Sequence, residues 1–336
     1  MKQSIVLVVL GAVILAILYF FYAIAPMPAS GSPGLFTIAS GEEFRSVAAR
    51  LEREGFIRSS IGFELYAFLR GAAHRIQAGD YRLEQGMSAP DVVSLLVSGP
   101  PDIVVVVTEG ETVRDIDNKL AAAGVLSPGA FTANAEILEG FLFPDTYRFA
   151  PHSETNAVIN KFLDNFSRRV GVAVDAQTVG ILARTKNRSS VVSIRGIDQG
   201  GAELYTAVIL ASLIEKEVPP GEERPLVAGI LLKRLGRGMP LQVDASVIYA
   251  KCGGTFYGCS ALASADFKIN SPYNTYRYPG LPKGPIANPG FDAIRAAMNP
   301  KSSPYWYYLS DPETGRTIFS ATLEEHAARR REYLGY

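Results

Sequence analysis

"SGEEFRSVAARLEREGFI" (40–57) and "EGETVRDIDNKLAAAGVL" (109–126) are two stretches of one chain that align without a gap. Gly41 matches Gly110, Glu42 matches Glu111, Arg45 matches Arg114, Leu51 matches Leu120 and Gly55 matches Gly124. Each copy follows a β-prone run, "LFTIA" (35–39) and "DIVVVV" (102–107). Each then spaces its apolar residues at helical intervals up to a glycine that stops the helix. The repeated unit is strand, turn, helix. Between the copies, "IGFELYAFLRG" (61–71) reads as a helix, "IQAGDYRL" (76–83) as a strand and "SAPDVVSLLVSG" (88–99) as a helix capped by a serine. The fold class this predicts is α+β.

The opening of the first copy, with Thr37, Gly41, Glu42, Val47 and Ala48, resembles the start of a LysM glycan-binding module. A small packing module without a ligand is the alternative. The organisation expected is a short amino terminus (1–4), a transmembrane helix (5–25), a linker (26–34), a LysM-like α+β module (35–100) and a mixed α+β catalytic domain (101–336).

The anchor comes from "IVLVVLGAVILAILYFFYAIA" (5–25), an uncharged run as long as the roughly 20 residues a helix needs to cross a bilayer. Lys2 is the only charge before it and Glu42 the next after it. That bias favours an amino terminus in the cytoplasm and the remaining chain outside. A cleaved signal peptide is the alternative, since "AIA" resembles a cleavage site, although the run exceeds a usual signal core of about 7–15 residues. "PMPASGSPG" (26–34) reads as a stiff polar stalk lifting the first module off the membrane.

Composition excludes several classes. Lys+Arg and Asp+Glu number 33 each, so no global field attracts nucleic acid. With three histidines and two cysteines, the chain offers no plausible metal set, and neither metal nor cofactor is expected. Cys252 and Cys259 share the Gly-rich "KCGGTFYGCS" (251–260), where they are placed to close a short disulfide in an oxidising compartment.

The chemistry centres on "GAELYTAVILASLIEKEV" (201–218), a helix stopped by Pro219 and Pro220. Leu210, Leu213, Ile214 and Glu217 follow one another at steps of three and four, so Glu217 extends an apolar stripe, whereas Glu215 falls with Val208, Ala211 and Ser212 on a face of smaller residues. A carboxylate that continues a buried stripe loses water, its pKa rises, and it can serve as a general acid. A frayed end with both glutamates solvated is the alternative. Glu215 is expected to matter much less than Glu217. "LEGFLFPDTYRFAP" (138–151) reads as a core strand with Asp145 capping its turn, "TNAVINKFLDNFSRRV" (155–170) as an amphipathic helix, and "NRSSVVSIRGIDQGG" (187–201) as a loop or short hairpin.

Downstream, "MPLQVDASVIYA" (239–250) offers Gln242, Asp244 and Tyr249, and "NSPYNTYRYPGLPKGPIANPG" (270–290) offers Tyr273, Asn274, Thr275 and Tyr276 in a Pro/Gly-rich loop. Aromatic faces among amides suit sugars. A proline-stiffened loop with tyrosines packed as staples is the alternative.

These stretches, with "ASLIEKE", "LEGFLFPDTYRF" and "AIRAAMNPKSSPYWYYLSD", resemble the endolytic murein transglycosylases of the YceG-like family over roughly residues 35 to 335. The resemblance implies a single-pass enzyme of the bacterial inner membrane with its catalytic domain on the periplasmic side. It also implies a peptidoglycan glycan-strand substrate and 1,6-anhydromuramic product ends; cell-wall synthesis proteins are the protein partners to look for. In that family the acid is the second glutamate of E-K-E, here Glu217; beside it, Gln242, Asp244, Tyr249, Tyr273, Asn274, Thr275 and Tyr276 are the substrate-binding residues expected from their chemistry. Asp244 is either a second carboxylate that favours hydrolysis or a buried cap. The rival functions are a muramidase-type hydrolase using Glu217 with Asp244 and a non-catalytic glycan-binding scaffold. The stretch 187–201 and the cysteine pair depart from the family pattern.

Overall fold

The computed structural model describes residues 2–28, 33–39, 41–185 and 201–335. The polar stretch 187–201 lies outside them except for Gly201, which opens a helix. The chain divides into two compact units, residues 1–103 with 150–152, and residues 104–149 with 153–336.

The first unit holds α1 (Lys2–Ile24), β1 (Gly34–Ile38), α2 (Phe44–Arg53), α3 (Ser60–Leu69), β2 (Gly79–Leu83) and α4 (Ala89–Ser98). β1 and β2 pair antiparallel with Phe36 opposite Tyr81. Their inward residues meet Val47, Leu51, Phe63, Val92 and Leu96 in a small apolar core. Ser88 closes a capping box with Asp91 at the start of α4, and Ser59 accepts from the Gly62 N–H at the start of α3.

The same plan recurs in β3 (Ile103–Val106), α5 (Val113–Ala122), α6 (Ala130–Ala135), β4 (Thr146–Phe149) and α7 (Thr155–Val170), where β3 pairs with β4. The correspondence reaches individual bonds. Gly41 and Gly110 both turn with φ near +78° and +79°, a region glycine enters without a Cβ penalty. Arg50 reaches Glu42 and the Thr37 carbonyl, while Lys119 reaches Glu111 and the Val106 carbonyl. Both helices end with N–H groups at 56 and 125 closing onto the Leu51 and Leu120 carbonyls. Both second strands carry a buried tyrosine, Tyr81 or Tyr147, whose hydroxyl donates four residues back, to Gln77 or Phe143. The repeat that the sequence shows for a strand and a helix thus extends through 34–98 and 103–170, and "DYRL" matching "TYRF" is its second signature.

The second unit continues with α8 (Ala176–Thr185), α9 (Gly201–Glu217), α10 (Arg224–Gly236), α11 (Asp244–Lys251), α12 (Phe291–Met298), a hairpin of β5 (Tyr307–Ser310) and β6 (Thr317–Ser320), and α13 (Leu323–Leu334). Helices α8, α10, α11 and α12 pack around α9. Every residue from Leu204 to Ile214 is buried, so α9 is a core helix on all faces rather than an amphipathic one.

The stretch 5–24 has a mean hydropathy of 2.9 and is, among the described residues, the one helix long and apolar enough to cross a membrane. The end of the helix and the first residue of the expected stalk already contact the first unit. Ala23 is 2% exposed and lies against Gly62, where a Cβ would come within 2.8 Å of the Ala23 Cβ. Arg58 stacks over the Tyr22 ring and donates to the Tyr22 hydroxyl at 2.8 Å and the Pro26 carbonyl at 3.0 Å. The last turn of α1 is clamped to the first turn of α3, so the module sits directly on the helix end.

If the matched leucines are equivalent core residues, Leu51→Ala and Leu120→Ala each cost about 2–5 kcal/mol in denaturant unfolding, whereas the exposed Arg45→Ala stays within about 0.5 kcal/mol. A Leu120→Ala cost no larger than that of Arg45→Ala would remove the equivalence.

Candidate active site

Three consecutive charged residues at the end of α9 point three ways, as a turn of about 100° per residue requires. Glu215 accepts from the guanidinium of Arg224 at 2.7 Å and from the Gly290 N–H at 2.9 Å. Lys216 reaches the Gly110 carbonyl at 3.3 Å and lies 4.0 Å over the Phe256 ring. Glu217 takes the Ala245 N–H at 3.2 Å on one carboxylate oxygen. Its other oxygen has no partner among the described residues and is not sealed from solvent.

Glu215 and Glu217 are therefore both withdrawn from bulk water, and the frayed-end alternative fails. The face of Val208, Ala211 and Ser212 is as deeply buried as that of Leu210, Leu213 and Ile214. The stripe does not separate the two glutamates; their partners do. Arg224 is 1% exposed and also donates to the Val218 and Pro219 carbonyls, satisfying acceptors that a proline-terminated helix leaves open. Glu215 is committed to a structural ion pair, a role that its place on a face of smaller residues did not signal. Glu217 faces no cation among its hydrogen-bond partners. Burial pushes its pKa up to about 7, against the pull of the Ala245 N–H and with a further push from the Asp244 charge.

The Ala245 N–H reaches Glu217 because of the turn before α11. Gln242 adopts φ +55°, an uncommon conformation for a non-glycine residue. It is held by its own N–H to the Thr275 carbonyl at 3.2 Å and by Arg234 on its side-chain oxygen. Gln242 and Asp244 are exposed, so Asp244 is not the buried cap that was one of its two readings. It lies in the first turn of α11, where the helix dipole favours an anion, and it accepts from the Tyr276 hydroxyl.

Other loop residues do different work from that expected. Asn274 and Thr275 are 0% and 1% exposed. Asn274 donates to the Phe267 and Ile269 carbonyls and accepts from the Tyr276 and Arg277 N–H groups. Thr275 bonds the Val243 N–H and the Ser246 hydroxyl. Their polar atoms build the loop instead of facing a ligand. Tyr276 turns toward Asp244, while Tyr273 packs on Tyr249 with ring centroids 4.9 Å apart.

Tyr249 and Tyr273 line a separate cavity of about 210 Å³, shared with Arg114, Glu136, Glu139 and Gly254, from which Glu217 is absent. Glu139 was not singled out by sequence, although "LEGFLF" contains it. Its carboxylate accepts from the Val113 N–H, the Asn288 amide at 2.9 Å and the Tyr249 hydroxyl at 3.3 Å. Burial pushes its pKa up to about 8. With both oxygens occupied, it organises three segments. Cys252 and Cys259 are bonded, with Cα atoms 5.9 Å apart, and close the loop that carries Gly253 and Gly254 along this cavity.

The hairpin over Glu217 holds two further residues that sequence reasoning missed. Ser310 donates to the Glu217 carbonyl at 3.2 Å. Tyr308 has a buried hydroxyl without a partner among the described residues, and burial and the Glu217 charge raise its pKa well above the usual value. The aromatic run "YWYY" was the available signal. No group of three or more His, Cys, Asp or Glu able to hold a metal occurs among the described residues.

Residues 36–332 match the model of the YceG-like family, and the chain belongs to that family. It is 28% identical over 326 residues to an endolytic murein transglycosylase of Bacillus subtilis, covering 88% of this chain and 84% of that one. It is 26% identical over 330 residues to an endolytic murein transglycosylase of Streptococcus pneumoniae, covering 86% of this chain but only 56% of that longer protein. The fold is similar to the crystal structure of a putative YceG-like protein from Listeria monocytogenes, with TM-score 0.51, 24% identity, and coverage of 89% and 100% of the two chains.

Glu215→Gln removes the nearer of the two carboxylates facing the buried Arg224 guanidinium, leaving only Asp292 at 4.0 Å, and lowers stability by about 3–5 kcal/mol; urea unfolding measures it, and a loss below about 1 kcal/mol would contradict the pairing. The raised pKa values of Glu217 and Glu139 fix the sign of their pH effect. The folded state binds their protons more tightly than the unfolded state, so their stabilisation is complete below the usual value of 4.5 and is lost as pH rises through about 7 for Glu217 and about 8 for Glu139. Unfolding free energy measured from pH 5 to 8 therefore declines more gently in Glu139→Gln than in the parent chain.

Proposed function

We propose that this chain is a membrane-anchored lytic transglycosylase that cleaves peptidoglycan glycan strands internally, with Glu217 as its single acid and base. The observation that carries this reading is the Glu217 carboxyl, withdrawn from water at the end of α9, steadied by one N–H and open on its other oxygen. With a pKa pushed up to about 7, it can hold a proton near neutrality and release it. The names of the relatives supply the substrate class and the reaction.

The mechanism needs one acid because the nucleophile is part of the substrate. Glu217 donates its proton to the oxygen linking muramic acid to the next sugar, and the C1–O bond breaks. The resulting carboxylate takes the proton of the C6 hydroxyl as that oxygen bonds to C1, which yields a 1,6-anhydro end and returns Glu217 to its starting state. A tethered hydroxyl avoids the entropy of recruiting water. Gln242, Asp244 and Tyr276 line the mouth of the site as sugar contacts, and Tyr249 and Tyr273 offer aromatic walls in the neighbouring cavity.

Asp244 supports a second reading, because it is exposed and its charge acts on Glu217. A hydrolase would use it to activate water. We assign α1 as an uncleaved single-pass anchor, with the positive amino terminus inside and both units outside, and assign glycan contact to the 35–100 module on its LysM-like opening.

Glu217→Gln keeps the shape of the side chain and removes the transferable proton, so turnover of purified glycan strands falls by about 10²–10⁴-fold while the protein stays folded. Mass spectrometry of the parent digest shows anhydro ends, each one water lighter than a reducing end. Reducing ends would establish the hydrolase, and unaltered strands a binding scaffold.

A further inference from the structure

Helix α3 presents two faces. Gly62, Phe63 and Ala67 are buried in the unit, whereas Ile61, Leu65, Phe68 and Leu69 are exposed at 73%, 45%, 74% and 66%. Positions i, i+4, i+7 and i+8 form one stripe, so four large apolar side chains stand together in solvent over a helix of ten residues, about 15 Å long. Single exposed leucines are ordinary, but a contiguous apolar stripe marks a covered surface.

What covers it follows from where it begins. The first turn of α3 is clamped to the last turn of α1 through Gly62 on Ala23 and Arg58 on Tyr22 and Pro26. The stripe therefore starts where the 20-residue apolar span ends. The charges beside it are cationic. Arg70 and Arg75 are exposed, have no hydrogen-bond or ion-pair partner for their side chains among the described residues, and share a groove with Leu69 between α3 and α4. The one acid on α3, Glu64, is paired with Arg45 at 3.7 Å. An apolar stripe flanked by unpaired guanidiniums is the composition of a helix lying in a membrane interface, with its apolar side at the acyl boundary and its cations among phosphates.

We infer that α3 rests in the outer interface of the bilayer beside α1, so that the first unit is held on the lipid surface by two contiguous apolar elements. The occupant of the stripe is the phospholipid itself. This rests on the reading of α1 as the membrane span.

The test uses the full chain in nanodiscs, whose only native tryptophan is Trp306. Phe68→Trp gains a blue-shifted emission that lipids brominated at carbons 6 and 7 quench by about twofold, while Leu10→Trp inside the span is quenched more by bromines placed deeper. A Phe68→Trp signal no more sensitive to brominated lipid than that of Trp306 alone, beside a quenched Leu10→Trp, overturns the inference and spares the anchor. An unquenched Leu10→Trp overturns both. Arg70→Glu with Arg75→Glu then weakens Phe68→Trp quenching in phosphatidylglycerol discs and not in phosphatidylcholine discs. Equal weakening in the two lipids removes the guanidiniums from the contact.

Discussion

A guanidinium with no route to water underlies the geometry of the second unit. Arg224 is buried with Glu215 as its near counter-charge and Asp292 4.0 Å away, and its Nε–H is shared by the two carbonyls after α9. That arrangement fixes the end of α9, and with it the direction in which Glu217 points. The other oxygen of Glu215 holds the Gly290 N–H, and a Cβ on Gly290 would meet the Glu109 carboxyl, which would have to swing aside. Two residues earlier, the fully buried Asn288 bonds the Gly140 and Leu142 N–H groups, the Glu111 carbonyl and the Glu139 carboxylate. One ion pair and one amide thus tie the repeat's second copy, the "LEGFLF" segment and the loop before α12 into a single rigid frame.

Within that frame, two carboxyls with raised pKa values have opposite assignments for a countable reason. Glu139 meets three donors on its two oxygens, and Glu217 meets one on one. A carboxyl with donors on both oxygens holds segments together, and one with an open oxygen can exchange a proton with a ligand. Burial alone does not distinguish them.

The same difference explains what the sequence made legible. The strand, turn and helix repeat stood out because left-handed turns demand glycine at 41, 55, 110 and 124, and because core leucines recur at fixed spacing. Its continuation through Tyr81 and Tyr147 was hidden by a connection three residues shorter in the second copy, which breaks an ungapped match. Glu217 was reached through a stripe that turns out not to exist as a separate face, since α9 is apolar all round. Partners set 9 residues away in Arg224, 28 away in Ala245 and 75 away in Gly290 decide which glutamate is free, and periodicity carries no information about them. Asn274 and Thr275 misled for a related reason: amide and hydroxyl chemistry suits a sugar, but it suits a tight loop equally well, and here the loop takes it.

The bond between Cys252 and Cys259 has a consequence of a different kind. It closes the segment containing Gly253 and Gly254, two residues with positive φ and little side chain to hold them in place. A glycine pair in an open loop samples many conformations, but the crosslink removes most of them before any ligand arrives. One wall of the Glu139 cavity is therefore set by an oxidation event as well as by packing, since the Gly254 N–H donates to the Tyr249 carbonyl, Thr255 donates to Asp115 and Phe256 lies between Tyr249 and Lys216. A chain held reduced would keep those contacts and lose only the covalent limit on the glycine pair. In that respect the history of the thiols, beside the sequence, bears on how firmly that wall is held.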